Sequence, residues 1–158
     1  MNDFRSGQNY PRRDNPQHQR DDRQPGSEFD LRFGLDHIKD WLEKRIDADA
    51  IAYSEKFGRY LNDNKFTTAQ IRKIFGEVKM IQQKGWEGEK TLTALLLLKP
   101  KLAYSAKRIG SDCANKFRDF ICAGIDVINK STNQAEVFQN FANLFESILA
   151  YHRAYGGK

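Results

Sequence analysis

The sequence predicts an all-α fold, a compact bundle of about five to six helices behind a disordered N-terminal tail, and three observations carry that reading. Apolar residues recur at spacings of three and four from Leu35 onward, as one face of a helix requires. No run alternates with the period of two that a half-buried strand needs, and none is punctuated like a hairpin. The breaks between periodic stretches consist of helix-capping and helix-stopping residues.

Taken in order, Leu35, Ile38, Leu42 and Ile46 share one stripe, and Tyr53, Phe57, Tyr60 and Leu61 share a second. Residues 35–62 therefore read as two helices or one bent helix. Asn62, Asp63 and Asn64 make a loop, after which Thr67 and Gln70 have capping-box spacing: the hydroxyl and the amide each satisfy a backbone N–H that the first turn leaves bare. The helix so begun turns Ile71, Ile74, Phe75, Val78 and Ile81 inward. Gly85 and Gly88 bracket Trp86 in the next loop. Residues 89–109 carry a broad stripe of Leu92, Leu95, Leu96, Leu102, Ala103, Ala106 and Ile109, interrupted by Pro100. Proline lacks the amide donor, so it kinks the helix or starts a new one. Phe117, Phe120, Ile121, Gly124 and Ile128 mark a further helix ending near Asn129, Lys130 and Ser131. The last helix covers about residues 135–155, burying Val137, Phe138, Phe141, Phe145, Ile148 and Leu149, and stops at Gly156 and Gly157.

Residues 1–28 are rich in Asn, Gln, Arg, Asp and Pro and offer almost nothing to bury, so ordering them would cost chain entropy without return. They are expected to be a disordered tail. Residues 29–158 are expected to form one helical-bundle domain, since a chain of about 130 residues buries roughly two-thirds of its extended surface in one core. The leucine run Leu95–Leu98 is far too short to cross a bilayer, and no basic-then-apolar leader is expected at the start of the sequence. The expected location is cytoplasmic, with no membrane partner. Cys113 and Cys122 stand nine positions apart with no Cys-x-x-Cys partner, which reads as two ordinary reduced thiols.

The chain offers few groups that could converge into a catalytic site. The three histidines are His18 in the tail, His37 in the first helix and His152 near the end, and no two stand four apart as a helical metal pair would. His152 reads as a structural histidine. Phosphate-binding glycine loops and nucleophile elbows are absent from the sequence, and the pair Asp21–Asp22 is too solvated for acid–base work. The expectation is no enzyme, no catalytic residue, no metal and no cofactor.

Charge is informative once resolved along the chain. Residues 65–108 hold ten basic against three acidic groups, a local +7, while the whole chain carries only +5. Such asymmetry directs an anionic partner to one surface. Within this segment Arg72, Gly76, Lys79 and Gln83 fall on one helical flank, and a glycine in mid-helix costs about 1 kcal/mol relative to alanine, which points to close approach by another backbone. In the next helix Lys101, Tyr104, Ser105 and Arg108 share a face with Lys107 beside them: cations, a ring and a hydroxyl suited to gripping phosphates and stacking on a sugar or base. The competing reading packs Tyr104 in the core and leaves the lysines as solvated surface.

Three stretches also carry a resemblance: Phe66-Thr67-Thr68-Ala69-Gln70-Ile71-Arg72-Lys73, then Leu98 through Lys101-Leu102-Ala103-Tyr104 to Arg108, and Ala150-Tyr151-His152-Arg153-Ala154-Tyr155-Gly156-Gly157-Lys158. Their order and spacing resemble the small subunit of the type III-A CRISPR (Csm) effector complex. The resemblance covers about residues 65–158 and implies a helical, non-catalytic protein present in several copies. Such subunits stack beside a repeated backbone subunit and a large subunit of the Csm complex, and line the channel where target RNA pairs with guide RNA. It further implies contact with sugar–phosphate, sequence being read by base pairing. Arg72, Lys73, Tyr104, Arg108, Arg153 and Lys158 match the family pattern, whereas Lys79, Lys101 and Lys107 enter from the stripes alone. The long tail and Pro100 depart from the pattern, which leaves open where Lys99 and Lys101 point. Two other readings stand beside this one: a pure protein–protein assembly subunit without nucleic-acid contact, and a free-standing nucleic-acid-binding regulator, for which no helix shows a suitable recognition turn.

Overall fold

A computed structural model of the protein describes residues 29–158, and in it side-chain caps fix where four of the helices begin. Asp30 opens α1 (Leu31–Glu43) by accepting from the backbone N–H groups of Arg32 and Phe33. Asp47 caps α2 (Ala48–Asp63) through Ala50 N–H, at 2.9 Å. Thr67 and Gln70 form the full reciprocal capping box at the start of α3 (Thr68–Lys84). Ser111 caps α6 (Asp112–Lys130) through Ala114. Each such cap contributes about 1 kcal/mol to its helix. The remaining elements are α4 (Glu89–Leu96), α5 (Leu98–Ile109) and α7 (Gln134–Ala154), and the described residues contain no strand.

These seven segments agree with the expected bundle of five to six, because α4 and α5 are one helix interrupted at Leu97, whose backbone stays in the right-handed helical region. The interruption precedes Pro100 rather than falling on it. Pro100 becomes the third residue of α5, in the first turn, where a missing N–H costs nothing because no carbonyl within the helix awaits it. The two helices expected over residues 35–62 are α1 and α2, separated by the short link from Lys44 to Asp47. The tail expected over residues 1–28 lies outside the described residues.

Phenylalanine dominates what is buried. Phe57, Phe120, Phe141 and Phe145 are fully enclosed, with Phe57–Phe120 and Phe141–Phe145 packed edge to face. Burying each ring stabilises the fold by about 2–3 kcal/mol, and edge-on geometry adds up to about 1 more. The innermost element is α7, which packs on α1, α2, α3 and α6, while α5 lies against α6. Two glycines let backbones close up. A Cβ on Gly58 of α2 would stand 2.6 Å from the backbone nitrogen of His152, and one on Gly124 of α6 would stand 2.6 Å from the Phe141 ring.

The end of the chain folds back across the start of α3. Gly156, at φ +97°, turns it; Gly157 N–H donates to the His152 carbonyl, and Thr68 N–H donates to the Lys158 carbonyl at 2.6 Å. His152 is wholly buried inside this turn with Nε2 at 2.5 Å from the Phe66 carbonyl. A carbonyl only accepts, so Nε2 carries a proton, and Nδ1 is buried without a hydrogen-bond partner. The histidine is structural, as expected, with one of its two nitrogens satisfied.

Candidate nucleic-acid interface

Three contacts orient the basic segment. On the inner side, Gln70 and Ile74 of α3 share a small gap with Leu102, Ser105 and Ile109 of α5. Further along, Lys101 Nζ of α5 donates to both carboxylate oxygens of Glu77 of α3, at 3.0 and 2.8 Å. The sequence order of these contacts runs up one helix and down the other, so α3 and α5 lie side by side and antiparallel. The Lys101–Glu77 ion pair joins their outward flanks at that point.

On α3 the helical repeat divides the predicted residues between two flanks. Lys79 Nζ reaches across to Glu146 of α7 at 3.0 Å, with a second bond to Gln82 and the Phe75 ring 5.3 Å away. Glu77, two residues earlier, is turned by about 200° and meets α5 instead. Arg72 stands two turns before Lys79, on the α7 side, whereas Lys73 stands one turn before Glu77, on the α5 side. Arg72 and Lys79 therefore do not continue the flank that holds Lys101 and Arg108. Gly76 is exposed, and nothing lies within 4 Å of where its Cβ would be, so the protein's own backbone supplies no close approach there.

On α5 the side chains of the predicted stripe lie at the surface, with Ser105 half-buried. Tyr104 is 69% exposed, more than any other large apolar side chain among the described residues, which excludes the packing of its ring in the core. Lys101, Lys107 and Arg108 are exposed around it. Lys101 is tied to Glu77, but among the described residues no hydrogen bond or ion pair engages the side chains of Lys73, Lys107 or Arg108. Lys99 turns the other way, to Asp126 of α6 at 2.5 Å, and that hydrogen bond raises its pKa above the ordinary lysine value. Arg153 is exposed on the last turn of α7.

Sequence reading missed the acids, Glu77, Glu146 and Asp126, that engage Lys101, Lys79 and Lys99, because each pairing joins different helices and no local spacing announces it. It also missed the exposed Met80 and Leu97 beside the same face, 55% and 56% exposed, which periodicity alone places as ordinary apolar residues. Both thiols are free, Cys113 buried and Cys122 half-buried, and burial pushes Cys113 up to about 12. Among the described residues no group of three or more His, Cys, Asp or Glu is placed to hold a metal ion, and no helix is long and apolar enough to cross a membrane.

The model of the Csm2 Type III-A family matches residues 45–158, from just before α2 to Lys158. The chain belongs to the Csm2 Type III-A family. It is thus a small subunit of the type III-A Csm complex, working among the other Csm subunits. The match takes in the whole α3/α5 face and the turn at the chain's end, and leaves out α1. No curated protein and no solved structure matches this Csm2-family chain.

Proposed function

We propose that the α3/α5 face grips the sugar–phosphate backbone of guide and target RNA inside the Csm complex, without sequence specificity and without catalysis. Several copies then stand along the repeated backbone subunit in the cytoplasm, beside the large subunit. The observation that carries this reading is the pair Lys107 and Arg108 beside the open ring of Tyr104 on α5, with Lys73 on α3, all three exposed and free of acidic partners among the described residues. Cations that are already neutralised inside the chain add little net attraction for phosphate. These three keep their charge for a partner, and the +7 excess of residues 65–108 is of the sign that RNA needs.

A second reading, a pure assembly subunit, draws on the exposed Met80 and Leu97 and on the neutralisation of Lys79, Lys99 and Lys101 within the chain. One experiment separates the two. The triple variant Lys73→Ala, Lys107→Ala, Arg108→Ala is built into the complex and titrated with two unrelated target RNAs over a range of salt. Each phosphate contact contributes about 0.7–0.9 to the slope of log affinity against log salt. The RNA reading expects normal assembly, affinity for both targets reduced about tenfold or more, and a shallower slope. Normal assembly with unchanged affinity and slope gives the face to protein contacts instead.

A further inference from the structure

We infer that Tyr104 is a stacking platform, and that the ligand this face is built for is an unpaired stretch of nucleic acid rather than a duplex. The inference rests on the RNA-backbone reading above and adds the state of the strand. Tyr104 is 69% exposed, and among the described residues its ring has no aromatic, cation–π or hydrogen-bonding partner. Among the described residues the next most exposed large apolar side chains with a ring are Phe33 at 41% and Tyr155 at 39%, so this ring stands out from the rest of the fold.

The surroundings of the ring fix what it can accept. Arg108 stands four residues after it, its backbone about 6 Å further along the helix axis, and Lys101 three before it, where Glu77 already engages the ammonium. Lys107 stands three after it, on the outer flank. A bare ring beside two free cations, Lys107 and Arg108, matches a nucleotide strand in which phosphates alternate with bases. Stacking needs a free base face. In a duplex the base faces are covered by their neighbours, and a protein reaches only phosphates, sugars and groove edges, leaving the ring without a partner. In an unpaired strand each base offers its face, and stacking there tolerates any sequence because every base has one. The same surface thus meets the phosphates with Lys107 and Arg108 and a base with Tyr104.

The test uses the full-length chain, fluorescently labelled single-stranded RNA and the matching RNA duplex, with anisotropy read at low salt. The expected results are tighter binding of the single strand than of the duplex, and a loss of about fivefold or more on the single strand for Tyr104→Ala, equivalent to the ~1 kcal/mol lower bound of base–aromatic stacking. Tyr104→Phe keeps the wild-type affinity, since the π-face remains, and Tyr104→Ala leaves the weak duplex binding unchanged. Circular dichroism confirms that these exposed-site variants fold. Single-strand binding that Tyr104→Ala leaves intact while Arg108→Ala weakens it overturns the platform and keeps the backbone reading. Binding indifferent to both substitutions, equal for the two ligands, or absent for the wild type overturns the inference. So does a Tyr104→Ala variant that binds RNA normally but fails to enter the complex, which assigns the ring to a neighbouring protein.

Discussion

Glu77 decides how much of the basic face is available. It is one of only three acids in residues 65–108, and it holds Lys101 by two hydrogen bonds in the middle of the proposed RNA surface. An exposed ion pair of this kind is worth at most about 1 kcal/mol, so a phosphate can replace the carboxylate at small cost. While Glu77 stays charged it also repels the strand. The substitution Glu77→Gln removes the repulsion and frees Lys101, and the expected outcome is a several-fold gain in affinity with a salt slope steeper by about 0.7–0.9. Competition binding over two decades of salt measures both, and a loss of affinity would show that Glu77 is needed to aim Lys101. None of this was legible in the sequence. Lys101 and Glu77 are 24 positions apart, Lys79 and Glu146 are 67 apart, and only the packing of three helices brings them together. What was legible was Tyr104, because its neighbours at helical spacing are cations and not apolar residues, and the structure leaves it in solvent.

At the scale of the helix, two glycines of similar sequence context have opposite consequences. Both Gly58 and Gly76 lie inside helices, and only Gly76 reads in the sequence as a place of close approach. Gly58 has one: its missing Cβ makes room for the backbone of α7 at His152 and Ile148. Gly76 has none within the chain. Gly58→Ala is therefore expected to destabilise by about 1–3 kcal/mol through overpacking, because a helix backbone cannot yield as a side-chain tip can. Gly76→Ala is expected to stabilise by about 0.5–1 kcal/mol, from helix propensity alone. Thermal unfolding of the two variants checks the pair, and the same sign for both would contradict the packing described. If Gly76→Ala folds more stably yet enters the complex poorly, the close approach belongs to a partner. The helices themselves were largely readable from apolar periodicity, and the start of α3 from the Thr67–Gln70 box; Asp47 and Ser111 also cap as their residue types dictate, without a paired spacing to announce them. The start of α5 was not readable to the residue. Pro100 announces a helix start, but the first turn accepts proline at more than one position, and the break lies at Leu97.

For the whole molecule, the core closes on Phe29, the first described residue. Its ring stacks on Phe57 at 4.5 Å and on Tyr60 at 4.6 Å, and it is 8% exposed. Asp30 beside it caps α1, whose Ile38, Trp41 and Leu42 are buried against the rest of the bundle. Periodicity starting at Leu35 underestimated this end of the fold: a single aromatic ahead of a helix has no period to betray it. The boundary expected between residues 28 and 29 thus makes a sharp prediction about truncation. A chain starting at Glu28 retains Phe29 and Asp30, and is expected to keep the helical circular dichroism and melting temperature of the full chain. A chain starting at Leu31 loses a buried ring, about 3 kcal/mol, and a helix cap, about 1 kcal/mol. In a domain of this size that difference lowers the melting temperature by about 10 °C or more. Side-by-side thermal melts of the three chains read the outcome directly. Equal melts for the two truncations would remove Phe29 from the core, and a marked loss already at Glu28 would assign residues 1–28 a part in stability that their composition does not announce.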